Sequence, residues 1–165
     1  MKRIEIAVCF NCDFVMTTGV MMYSACVNNP ENDVTFHCLI DNSVTRRDKG
    51  KLMETVSAFS GKQVLFYDVD VNKFKHLKKT GLHLQRITLA AFYRLSLAEI
   101  LPLELHKVLY VDGDVIIRHS LQSLWNTVLD GCPLAAVQDF IQLKIKYMNA
   151  SIILISRAIS IVASC

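Results

Sequence analysis

The sequence predicts an α/β fold, a mostly parallel sheet covered by helices on both faces. Three observations carry this. Short apolar, β-branched runs alternate with segments whose apolar residues recur at helical spacing. Each run ends in turn or cap residues. The chain's 165 residues, 52% hydrophobic and 20% charged, suit one globular domain with its own core.

The elements follow in order. "RIEIAVCF" is a strand that stops at the polar cluster Asn11 to Asp13, and "MTTGVMMYSACVNN" is a helix that stops before Pro30. "DVTFHCLID" is a second strand. "TRRDKGKLMETVSAFS" is an amphipathic helix with Leu52, Met53, Val56 and Phe59 on its apolar side and Gly61 at its end. "QVLFYDVD" is a third strand, followed by a basic connection. "TLAAFYRLSLAEIL" is a helix ended by Pro102, "HKVLYVDGDVII" a fourth strand and "CPLAAVQDF" a fifth. Beyond it, "YMNASIILISRAISIVASC" starts like a strand and then loses its pattern.

Totals exclude several classes. A net charge of +3 is too small to mark a nucleic-acid binder by itself, and the basic cluster over 73–86 reads first as a solvated face, with attraction to anionic lipid, nucleic acid or phosphate as its alternative. The N-terminus lacks the long apolar stretch and small-residue cleavage site of a signal peptide. The apolar tail is interrupted by Arg157 and is too short to span a bilayer. Six cysteines without regular spacing suit reduced thiols, so the expected location is the cytoplasm.

One stretch carries chemistry. "KVLYVDGDVII" places two carboxylates, Asp112 and Asp114, in a run that should enter a sheet. Buried carboxylates are costly unless paired or bound to a cation. Residues two apart on a strand share a face, so extended backbone through Gly113 makes the pair a chelate. Hard oxygen ligands at a strand's carboxyl end suit Mn²⁺ or Mg²⁺, which complete their shells with water and phosphates. Asp-Gly-Asp is also ordinary turn chemistry.

The competing motif is Cys9-Phe10-Asn11-Cys12, a C-x-x-C after a strand, which allows a thiol oxidoreductase or two packed thiols. Arg94 sits on an otherwise apolar helix, either as a surface cation or as one aimed at the Asp pair and its phosphates. Asn149 either caps a strand or bonds a sugar hydroxyl. The histidines show no metal-ligand spacing, and no dinucleotide or P-loop glycine motif occurs.

These segments together resemble the family-eight retaining glycosyltransferases, which include lipopolysaccharide galactosyl- and glucosyltransferases and the glycogenins. The most specific part is an Arg in a Tyr-Arg-Leu helix, a Leu-Pro break, Lys-Val-Leu-Tyr-Val-Asp-x-Asp and a following Leu-x-x-Leu-Trp. The resemblance implies a GT-A-type, Rossmann-like domain that transfers a hexose from a UDP-sugar to a saccharide or lipid-linked glycan acceptor. It also implies work in lipopolysaccharide or cell-envelope synthesis, at the inner face of the membrane, with peripheral membrane contact and self-association as further expectations.

By position, Asp112 and Asp114 match the family's metal pair, Mn²⁺ being usual. Gly113 lies between them in the donor-binding set, and Arg94 matches a donor-contacting basic residue. The first loop, Cys9 to Phe14, matches the family's uridine-contacting Ala-x-Asp-x-Asn-Tyr, with Asn11 where an acid is common, Asp13 where Asn is common and Phe14 where Tyr is common. Asn149 matches the Asn of a Phe-Asn-x-Gly segment near the acceptor. The resemblance assigns 1–140 to donor binding and 141–165 to a shortened start of the acceptor half. The family's later His and Lys, which complete metal and diphosphate binding, have no counterpart here. A shortened chain that binds nucleotide-sugar without turnover is therefore the alternative.

Overall fold

In the computed structural model, residues 2–74, 89–136 and 152–156 are described. Their strands are β1 (Lys2–Phe10), β2 (Asn32–Ile40), β3 (Lys62–Asp68), β4 (Lys107–Val111), β5 (Leu134–Ala136) and β6 (Ile152–Ser156). The sheet order is β3-β2-β1-β4-β6-β5. The first four are parallel where they pair, while β6 is antiparallel to both β4 and β5.

Alternation along β1 builds both layers. Ile4, Ile6, Val8 and Phe10 face a core shared with Met21, Met22, Ala25 and Cys26 of α1 (Val15–Val27) and Leu52 and Val56 of α2 (Arg46–Ser57). Ala7 and Cys9 face a second core with Tyr93, Leu97, Leu101 and Tyr110. Helices therefore cover both faces, as the alternation predicts. A capping box starts α2: the Asp48 amide donates to Thr45 Oγ1 at 3.2 Å, and the Thr45 amide donates to Asp48 Oδ2 at 3.1 Å.

Two elements depart from expectation. The segment before Pro102 is a 3-10 helix over Leu89–Ser96, followed by a short α3 (Leu97–Ile100). Its buried residues are Ala90, Tyr93 and Ser96, a period of three, which a 3-10 helix turns into one inward row. The fourth strand stops at Val111, before both carboxylates. Asp112 is thus half-exposed and Asp114 exposed, so neither bears the cost of full burial in the sheet.

The order of the strands positions the site. From β1 the chain moves outward through β2 to β3, and β4 returns to the other side of β1. That reversal opens a crevice outside the carboxyl ends of β1 and β4, where open parallel sheets bind ligands. The loop after β1 and the Asp112 to Asp114 turn both lie there.

Candidate functional site

Asp112 is the centre of a small charged cluster. Tyr110 Oη donates to Asp112 Oδ1 at 2.7 Å, and Arg94 Nη2 lies 3.7 Å from the same oxygen. The guanidinium carbon sits 4.8 Å from the centroid of the Tyr110 ring, a cation–π stack. Arg94 Nε donates to the Ala91 carbonyl at 2.7 Å. Stacked on one side and hydrogen-bonded on another, the guanidinium is held near the Asp turn. Its side chain is 30% exposed and that of Asp112 28%, so both reach solvent.

Burial and the nearby Asp112 charge push the Tyr110 hydroxyl far above its ordinary pKa, with Arg94 opposing. Tyr110 is therefore a permanent donor at neutral pH. Gly113 is buried against α1. A Cβ built there would lie 2.3 Å from Thr18 Oγ1, so only glycine lets the Asp turn approach the helix this closely. Thr18 Oγ1 is buried without a hydrogen-bond partner among the described residues.

The first loop is a single 3-10 turn, Cys12–Phe14. Asn11 Nδ2 donates to Asp13 Oδ2 at 3.1 Å, while Asn11 Oδ1 is buried without a partner among the described residues. Phe14, at the Tyr position of the uridine-contacting loop that the resemblance implies, is half-buried and packs against the α1-side core. Cys9 is buried in the opposite core. Burial pushes its thiol far above the ordinary value, the reverse of what thiol–disulfide exchange requires, so the oxidoreductase reading is not supported. Cys12 and Asp13 also line a groove of about 570 Å³ between α1 and α2, shared with Val20, Tyr23 and Leu52 and separate from the Arg94–Asp112 cluster.

The structure thus joins Arg94 to Asp112, and Gly113 to the first turns of α1. Asn149 lies outside the described residues, as does most of the basic cluster over 73–86. Tyr110 has a sequence signal of its own, since it stands two residues before Asp112, a spacing that puts both side chains on one face of extended backbone. Asp41 and Ser43, an Asx turn at the end of β2, carried a sequence signal as well. The contact between Tyr93 and Asp41 carried none. Among the described residues no cluster of three or more His, Cys, Asp or Glu forms a metal site. Asp112 and Asp114 stand on either side of Gly113 in the turn after β4, two hard-oxygen side chains of the type that suits a Mg²⁺- or Mn²⁺-like ion.

This fold is of the GT-A type, with the candidate site outside the carboxyl ends of β1 and β4. The family model "Glycosyl transferase family 8" matches residues 5–160, and the chain belongs to that family. Among curated relatives, General stress protein A of Bacillus subtilis is 28% identical over 89% of this chain and 50% of its own length. A putative glycosyltransferase of Haemophilus influenzae is 31% identical over 84% of this chain and 44% of its own length. The chain therefore spans about half the length of these relatives. A crystal structure of a galactosyltransferase with donor and acceptor sugar analogues superposes with a TM-score of 0.78 at 24% identity, covering 93% of this chain and 58% of that one. No described helix is long and apolar enough to cross a membrane.

Proposed function

We propose that this chain forms the donor-binding part of a retaining, metal-dependent transferase that moves a hexose from a UDP-sugar to a saccharide acceptor. The observation that carries the reading is the Arg94–Tyr110–Asp112 cluster at the crevice between β1 and β4. Asp112 and Asp114 would hold the Mn²⁺ or Mg²⁺, and a bound ion of this kind supplies Lewis-acid neutralisation of charge on a departing nucleoside diphosphate. Arg94 adds a fixed cation on the same side, held by its stack on Tyr110. The loop Asn11 to Phe14 meets the nucleoside, and Asn149 meets the acceptor. Family membership and the relative described as a lipopolysaccharide 1,3-galactosyltransferase of Salmonella typhimurium, 25% identical over 74% of this chain and 34% of its own length, support a saccharide acceptor in envelope glycan synthesis.

Calorimetric titration of UDP into the chain, with and without Mn²⁺, tests this. Binding should need the metal and should vanish in the Asp112→Ala, Asp114→Ala double variant. Metal-independent binding, or no binding at all, sinks the reading.

A further inference from the structure

We propose that Asp41 is a positioning residue for the donor site, a carboxylate that ties the loop after β1 to the 3-10 helix carrying Arg94. The inference rests on the donor-site reading above, although Asp41 itself touches no ligand in that reading.

Asp41 directly follows β2, the strand beside β1. Its Oδ1 accepts from the Ser43 amide at 2.9 Å and from Ser43 Oγ. The Ser43 hydroxyl has one proton, spent on Asp41, so its oxygen is left to accept, and the Cys12 amide donates to it at 3.0 Å. The other carboxylate oxygen, Oδ2, accepts from Tyr93 Oη at 2.6 Å. Cys12 belongs to the nucleoside-side loop, and Tyr93 is the chain neighbour of Arg94.

Three protons therefore converge on one half-buried carboxylate from two separate elements. Hydrogen bonds to an ionised acceptor are stronger than neutral ones. Tyr93 is fully buried and lies in the second core, so its hydroxyl holds a fixed position. The bridge sets the spacing between the loop and the Arg94 cation before any donor arrives, which is the preorganisation that a binding site needs. Burial acts to raise the Asp41 pKa, but the hydrogen bonds from Ser43 and Tyr93 outweigh it and leave the group below its ordinary value, ionised at neutral pH.

Asp41→Asn tests the bridge with little change of shape, because one carboxylate oxygen becomes an NH₂ facing a donor. Ser43→Ala and Tyr93→Phe each remove one arm. Amide hydrogen exchange without ligand should quicken in both segments, 11–14 and 89–96, for Asp41→Asn, in the first alone for Ser43→Ala and in the second alone for Tyr93→Phe. UDP affinity in Mn²⁺ should fall about tenfold for Asp41→Asn and less for each single-arm variant. Unchanged exchange overturns the proposal, as does faster exchange throughout the sheet with UDP affinity intact, which marks a merely structural residue. A wild-type chain that binds no UDP overturns the donor-site reading and the positioning role together, and the ligand-free exchange pattern separates that failure from failure of the bridge.

Discussion

The Tyr110 hydroxyl and Asp112 Oδ1 are 2.7 Å apart, and the same tyrosine ring carries the Arg94 guanidinium on its face. One side chain thus orients both the anion and the cation of the site. Tyr110→Phe keeps the ring and the stack but deletes the hydroxyl. Metal-dependent UDP affinity should fall by about 1 kcal/mol, roughly fivefold, with little loss of stability. Titration calorimetry and thermal melting, run side by side, check this. An unchanged affinity would show that Asp112 needs no such orientation.

Gly113→Ala forces a Cβ against Thr18 Oγ1. The expected cost is about 1–3 kcal/mol of stability, as for other overpacked sites. Thr18→Ala removes the obstructing hydroxyl, which has no partner to lose among the described residues, and should recover most of that cost in the double variant. Additive effects in denaturant melts would count against the contact.

A second buried polar group lies away from the site. His37 Nε2 is 2.8 Å from Glu5 Oε2, and His37 Nδ1 is 2.9 Å from Tyr67 Oη. Glu5→Ala leaves a buried imidazole without its carboxylate and should cost about 3 kcal/mol. Urea denaturation reads the loss. UDP affinity should not change, because Glu5, the residue replaced, lies near the middle of β1, away from its carboxyl end.

Alkaline pH gives a further test. Burial raises the Cys26 thiol from about 9 to about 11, with Lys62 partly opposing. A folded pKa above the unfolded one means a contribution fully present below pH 9 and lost as pH rises toward 11. Cys26→Ala should flatten the alkaline limb of a stability curve measured over that window. At neutral pH a thiol reagent should label the exposed Cys12 and Cys132 quickly, and Cys9, Cys26 and Cys38 only on unfolding.

In acid the sign reverses. The Asp41 carboxyl is held below its ordinary pKa near 3.8, so its stabilisation is present above that value and lost as pH falls through the lowered folded pKa. Asp41→Asn should make stability less steep between pH 4 and that lower value, as followed by acid denaturation. An acid limb identical to wild type would mean that the carboxylate's hydrogen bonds add no stability.

The sequence by itself determined the local elements and the kind of chemistry. Alternation in "RIEIAVCF" and "DVTFHCLID", helical spacing in the segments between, and the turn residues at their ends gave the strands and helices, because hydrophobic periodicity is written residue by residue. Asp112 and Asp114 at a strand's carboxyl end marked the candidate metal pair for the same local reason. Where β4 stops was not legible, since an apolar run with two carboxylates reads as strand until solvent is located. The tertiary structure alone decided that β4 returns beside β1, that Arg94 meets Asp112 over the Tyr110 ring, and that Tyr93 reaches Asp41 across 52 residues of chain. Such contacts arise from how whole layers pack, and a side chain's partner across a sheet leaves no periodic trace in its own segment.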